Sequence, residues 1–220
     1  GRRVTVRRNR LTLGEAVWHY HKALAFVPNY AEAHNNLGQV LQAQGKLDAA
    51  VESYHKALSL KPDFIEAHYN LGGALHAQGK LDAAVESYHK ALSLRSNYAE
   101  AHNNLASVLH AQGKLDTAVE HYQQALLLNP DFTEALNNLG AVLIVQGKLD
   151  VAVECYQQAI LLKPDFAEAH CNLGSALKDQ GRLDEAIESL RTPASGPSMH
   201  RSVLWLWYHA ERLKAARPLI

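Results

Sequence analysis

The sequence predicts an all-α protein, a solenoid of antiparallel helix pairs, and three observations make that prediction. Asn36, Asn70, Asn104, Asn138 and Asn172 stand 34 residues apart, and Gly45, Gly79, Gly113, Gly147 and Gly181 keep the same interval, as do the series beginning at Asp48 and Ala50. Within each period the apolar residues fall at helical spacing: Ala33, Leu37 and Leu41, then Leu47, Val51, Tyr54 and Leu58. Turn residues separate the two runs at Gln-Gly-Lys and close the second at Lys-Pro-Asp. One helix pair cannot bury its apolar face alone, so a fixed period of this kind means pairs stacked on pairs.

The elements follow in order. Residues 1–13 form a basic stretch in which Arg2, Arg3, Arg7, Arg8 and Arg10 crowd together. Two readings stand for it: a solvated tail, or an arm that touches phosphate or a membrane surface, against which counts the lack of interleaved aromatic residues. Residues 14–30 read as a partial repeat, a second helix alone with the sequence EAVWHYHKALAFVP. Four full units follow at 31–64, 65–98, 99–132 and 133–166.

In each unit the glycine of Gln-Gly-Lys falls where the first helix must end in left-handed backbone. Pro62, Pro130 and Pro164 stand where the second helix must stop. The spacing predicts a capping box at each first-helix start: Asn29/Glu32, Asp63/Glu66, Asn97/Glu100, Asp131/Glu134 and Asp165/Glu168. Gly38, Gly72, Gly140 and Gly174, with Ala106 in the third copy, remove bulk where the paired helices approach. Leu37, Leu41 and Tyr54 fill the space beside them.

A truncated fifth unit spans 167–192. Leu190 replaces the tyrosine of the earlier copies and Pro193 replaces their alanine, so its second helix is expected to end early. Residues 193–201 read as a linker, with Pro193, Gly196 and Pro197 as breakers. Residues 202–220 are either a capping helix, with Trp205, Leu206 or Trp207 over the last unit, or a tail that is not evolved structure.

A 34-residue helix pair with Asn-Leu-Gly, a glycine at the inner turn, Asp-x-Ala, Tyr, Ala and a closing Pro resembles the tetratricopeptide repeat. The resemblance covers about Gly14 to Leu190. It implies a right-handed superhelical solenoid whose first helices line a concave groove, with the residue before the Asn-Leu leucine facing into it. That residue is Asn36, Asn70, Asn104, Asn138 and Asn172, with Asn35, Asn103 and Asn137 beside three of them.

Asn is a poor helix former, about 0.6 kcal/mol below Ala, so a complete stripe of it asks for a compensation. One amide offers an acceptor and two donors, which suits the C=O and N–H of an extended peptide. Neighbouring first helices lie on the order of 10 Å apart, and three extended residues also span about 10 Å. One asparagine per three peptide residues is therefore the expected register. The competing reading is that Asn makes only local helix contacts. His76 and His110, one turn further along the same face, are candidate ligand contacts that would make binding sensitive to pH.

Such a ladder is most similar to the repeat region of O-GlcNAc transferase-type proteins, in which this asparagine grips substrate peptides. That resemblance implies a second role for the chain, the substrate-targeting arm of a glycosyltransferase, because nothing after Ser195 is long enough for a catalytic domain. Co-chaperone arrays, which clamp a carboxylate with Lys and Arg, fit poorly, since Glu32, Glu66, Glu100, Glu134 and Glu168 occupy the corresponding places.

The remaining composition narrows the function classes. Lys+Arg and Asp+Glu are 22 each, for a formal net charge of +0, so the broad basic footprint of a nucleic-acid binder is absent from the sequence. Hydrophobic residues at 47% and charged residues at 20% suit a folded chain in water. No apolar run approaches the ~18 residues of a membrane helix. Cys155 and Cys171 lack disulfide or CxxC spacing, which points to reduced thiols and a cytoplasmic setting. A start at Gly1 in place of Met is consistent with a piece of a longer protein, with any targeting segment upstream.

His34, His68, His102 and His170 recur at the repeat interval, too far apart to share a metal ion, so packing and surface roles are expected and no metal or cofactor. GxSxG, phosphate-loop and HExxH patterns do not occur. The expected function is accordingly non-enzymatic: a protein-protein interaction scaffold that holds an extended peptide or a partner's flexible segment.

Overall fold

The computed structural model describes residues 12–191, and every regular element among them is an α-helix. Two compact units divide the chain, at 1–97 and 98–220. The first contains α1 (Leu13–Phe26), α2 (Ala31–Ala43), α3 (Leu47–Leu60), α4 (Ile65–Ala77) and α5 (Leu81–Leu94). There α2 pairs with α3 and α4 with α5, while α1 lies on α2 as α3 lies on α4. The second contains α6 (Ala99–Ala111), α7 (Leu115–Leu128), α8 (Thr133–Val145), α9 (Leu149–Leu162), α10 (Ala167–Asp179) and α11 (Leu183–Arg191), paired in the same way. The basic stretch over residues 1–11, Pro193 and its linker, and the tail with Trp205, Leu206 and Trp207 lie outside the described residues.

Each helix pair closes through one turn geometry. Gly45 takes φ +74°, its N–H donates to the Gln42 carbonyl at 2.9 Å, and the Lys46 N–H donates to the Leu41 carbonyl at 2.9 Å. This crossed pair of bonds satisfies the last carbonyls of α2, and it needs the left-handed backbone that glycine adopts without strain. Gly79, Gly113, Gly147 and Gly181 have φ between +75° and +77°.

In three of the five pairs the inner seam is built by a tyrosine lying on a glycine. Tyr54 is 0 % exposed, and a Cβ placed on Gly38 would lie 2.6 Å from its Cε1. Gly72 faces Tyr88 and Gly140 faces Tyr156 in the same way. Leu190 takes the tyrosine's place against Gly174 and is still buried.

The five capping boxes expected at Asn29/Glu32, Asp63/Glu66, Asn97/Glu100, Asp131/Glu134 and Asp165/Glu168 do not form. The N-cap residues are Tyr30, Phe64, Tyr98, Phe132 and Phe166, one position later, and none makes a side-chain cap bond. At Asp63 the cap competes with burial of the neighbouring ring. Lys61-Pro62-Asp63-Phe64 forms a turn in which the Phe64 N–H donates to the Lys61 carbonyl at 3.1 Å, and this swings the ring into a cluster with Ala31, Ala57 and Ala67. Burying a Phe is worth about 1.5–3 kcal/mol, against about 1 kcal/mol for a cap.

The freed glutamates pair elsewhere: Glu66 with Arg95 at 2.8 Å and Glu32 with Lys61 at 3.5 Å. Among the described residues a capping box that the repeat spacing does not predict forms at Thr12 and Glu15 on α1; it holds the Glu15 carboxyl below its ordinary pKa through bonds from the Thr12 N–H and hydroxyl.

Candidate functional site

Within each unit the first helices, α2 and α4 in one and α6, α8 and α10 in the other, carry the predicted asparagines. Asn36, Asn70, Asn104, Asn138 and Asn172 are all half-buried. Asn35, Asn103 and Asn137 are deeper, between 2 % and 7 % exposed. Neighbours on a helix point about 100° apart, so the second row lies under the first and not beside it.

The two rows are bonded to each other across successive helix pairs. The Asn70 side-chain N–H donates to Asn35 Oδ1 at 3.0 Å, Asn138 donates to Asn103 Oδ1 at 3.3 Å, and Asn172 donates to Asn137 Oδ1 at 2.9 Å. The buried amides have donors of their own to satisfy: Asn103 donates to Asn104 Oδ1 at 3.1 Å and Asn137 donates to Glu168 Oε1 at 3.0 Å. An anchored Asn70 or Asn138 has committed one N–H, which leaves its second N–H and its carbonyl oxygen in a fixed orientation. That is the donor-acceptor pair one peptide unit requires.

The tyrosines reach this face from behind. The Tyr54 hydroxyl donates to Gln42 Oε1 at 2.9 Å, and the Tyr122 hydroxyl shares a hydrogen bond with Ser107 Oγ at 2.9 Å. Opposite Tyr156 those two positions hold Ile144 and Ala141, and the tyrosine instead lines a cleft with Asn172, Ser175 and Asp179. Burial, with Cys155 and Glu168 nearby, pushes the Tyr156 pKa up to about 12, so the hydroxyl keeps its proton well into the alkaline range. His76 and His110 are half-buried in the last turns of α4 and α6.

The recurrent histidines act as staples. His34, His68 and His170 donate from Nε2 to the carbonyls of Pro28, Pro62 and Pro164 at 2.8 to 3.0 Å, which ties α2, α4 and α10 to the loops before them. A histidine contact that the repeat does not predict lies between His102 and His121, whose Nδ1 atoms share a hydrogen at 3.0 Å. Its signal was present, since His121 breaks a series of Ser53, Ser87, Cys155 and Ser189. No group of three metal-ligating side chains occurs among the described residues, and no helix among them is long and apolar enough to cross a membrane.

A family model described as TPR repeat matches residues 12–45, 43–79, 72–113 and 142–181, and one described as tetratricopeptide repeat matches 99–132. The chain belongs to the tetratricopeptide repeat family. Among solved structures, this tetratricopeptide array is similar to MamA at 28% identity over 82% of this chain and 98% of that one, with a TM-score of 0.64. It is also similar to YrrB, titled a TPR protein with an unusual peptide-binding site, at 25% identity over 88% and 97% of the two chains with a TM-score of 0.66. Pseudomonas aeruginosa pilF, at 22% identity over 84% of each chain and a TM-score of 0.76, shares the fold. The comparison with curated proteins gave no significant match.

Proposed function

We propose that this tetratricopeptide array is a non-catalytic interaction scaffold whose first-helix face holds an extended peptide by its backbone. The observation that carries the reading is the pair of asparagine rows. Asn70, Asn138 and Asn172 each spend one donor on a buried asparagine of the preceding pair and keep the remaining amide functions fixed. Preorganised amides lose little side-chain entropy on binding. A backbone grip reads few side chains, so the ligand class is an unstructured segment of loosely restricted sequence, and His76, His110 and the cleft at Tyr156 would bias the choice. The peptide-binding site announced for YrrB supports a ligand of this class.

A second reading, that the array targets substrates for a glycosyltransferase of the O-GlcNAc transferase type, is favoured by the unbroken run of Asn36, Asn70, Asn104, Asn138 and Asn172. A cytoplasmic setting suits both readings.

The test is binding of an unstructured peptide library to the wild-type chain and to a variant with Asn70, Asn104 and Asn138 changed to Ala. Three lost bonds of about 1 kcal/mol each should weaken binding roughly 100-fold in a variant whose circular dichroism is unchanged. Equal binding by a folded variant would overturn the backbone grip.

A further inference from the structure

The seam tyrosines differ in what their hydroxyls meet. Gln42 engages the hydroxyl of Tyr54 and Ser107 that of Tyr122. Tyr156 is as deeply placed, 2 % exposed, but Ala141 and Ile144 stand where Ser107 and Gln42 do in their own pairs, and neither has a polar side-chain atom. The Tyr156 hydroxyl has no hydrogen-bond partner among the described residues, and the tyrosine lines a cleft of about 210 Å³ between α8, α9 and α10. A buried hydroxyl without a partner costs free energy, which a ligand group in the cleft would recover.

The cleft is graded from apolar to charged. Ala141, Ile144 and Ala176 form its apolar walls, Asn172 and Ser175 are half-buried, and Asp179 is exposed. The Ser175 hydroxyl has no partner among the described residues either, and Asn172, which gives one N–H to Asn137, keeps its carbonyl oxygen. Tyr156, Asn172, Ser175 and Asp179 thus all offer hydrogen-bond acceptors to one cavity. Lys178 Nζ lies 3.5 Å from Asp179 Oδ1. An ion pair this exposed contributes little, so a better-matched cation can displace it.

We propose that this cleft is a specificity pocket for an arginine side chain of the bound peptide, a proposal that rests on the backbone grip described above. The aliphatic stem of arginine suits the walls at Ala141, Ile144 and Ala176. Its guanidinium carries donors and no acceptor, so it complements a cavity rich in acceptors. It can meet the Asp179 carboxylate with two parallel bonds and still have N–H groups for the hydroxyls of Tyr156 and Ser175. Asn172 belongs to both features, since it lines the cleft and carries the amide that holds the backbone. The arginine is therefore the residue that Asn172 holds or its immediate neighbour. An acidic side chain would be repelled by Asp179, and an apolar one would leave the buried Tyr156 hydroxyl unpaired.

The probes are fluorescently labelled, unstructured Gly/Ser peptides that differ only at the central residue, which is arginine, its neutral isostere citrulline, or lysine. Each is titrated with the full chain. The arginine peptide is expected to bind at least tenfold more tightly than the citrulline peptide. Asp179→Asn should abolish that preference, and so should Ile144→Gln, which restores the amide that Gln42 gives to Tyr54. The second variant alters no charge, so it separates the pocket from a general attraction between a cationic peptide and an acidic surface. Circular dichroism checks that both variants are folded. Equal affinity for arginine and citrulline overturns the proposal, as does a preference that survives Ile144→Gln, and lysine binding as tightly as arginine overturns the assignment to a guanidinium. The backbone grip is judged separately by changing Asn70, Asn104 and Asn138 to Ala, which should weaken all three peptides alike. Peptides that fall together in that variant without any preference for arginine overturn the pocket and leave the grip standing. An arginine preference with undiminished affinity in that variant overturns the grip and leaves the pocket, and binding of none of the peptides overturns both.

Discussion

Asn70 donates a side-chain hydrogen to Asn35 Oδ1 at 3.0 Å, although the two belong to different helix pairs. The bond makes a buried residue responsible for the orientation of a half-exposed one. Asn35→Ala is therefore expected to weaken peptide binding without itself reaching the ligand. It should also cost about 1–2 kcal/mol of stability, because an amide hydrogen of Asn70 loses its partner. Chemical denaturation reads the second effect and fluorescence anisotropy with an unstructured peptide reads the first; a variant that loses stability but keeps full affinity would assign Asn35 to packing alone.

The glycine–tyrosine seam predicts a sharp asymmetry between copies. Gly38→Ala places a methyl group 2.6 Å from Tyr54 Cε1, so the pair must separate, at a cost of about 1–3 kcal/mol. The third pair already accommodates Ala106, itself 0 % exposed. Ala106→Gly should consequently destabilise, by about 1 kcal/mol, through lost burial and added backbone freedom. Thermal melts of the two variants decide the matter, and a harmless Gly38→Ala would contradict the seam geometry.

Gly45 sits at φ +74° with open space where its Cβ would point. Gly45→Ala meets no steric neighbour yet should cost about 1–2 kcal/mol from backbone strain alone. Gly45→Asn should cost less, since Asn tolerates left-handed backbone. Equal losses for the two would indicate that a clash, and not φ, sets the penalty.

Cys155 has its thiol pKa pushed up to about 11, first by burial and then by Glu154, and burial raises the Cys171 thiol as well. Native Cys155 should resist a thiol reagent at pH 8 and react on unfolding. The same shifts set an alkaline limit. In the folded state Cys155 and Tyr156 hold their protons to about 11 and about 12, above the ordinary values of 9.0 and 10.0. Above pH 9 the unfolded chain thus releases protons that the folded chain retains, and stability falls progressively from there upward. Denaturation midpoints that stay flat between pH 8 and pH 11 would contradict this.

The helix pairs were legible because the period and the turn glycine agree at every copy and the closing proline at all but one, where Ser96 stands, and the Gly45 turn follows from sequence spacing alone. The start of each first helix was misplaced by one residue; Asp63, for one, looks like a cap until Phe64 is known to be needed in the cluster with Ala31, Ala57 and Ala67. The asparagine stripe was visible, but its second row was assigned to the same face. The depth of Asn103 and Asn137, which the sequence could not supply, is what separates the buried row from the half-exposed one.

Helices α3 and α5 share one sequence, LDAAVESYHKALSL, behind the same Gln-Gly-Lys turn. Excising residues 47–80 would join Lys46 to Leu81 and recreate an identical junction, with Tyr88 arriving over Gly38 in the place of Tyr54. Unequal recombination between such tracts changes the array by whole units and leaves no scar in the core. Length, counted in whole helix pairs, is then a property the array can change without disturbing its core.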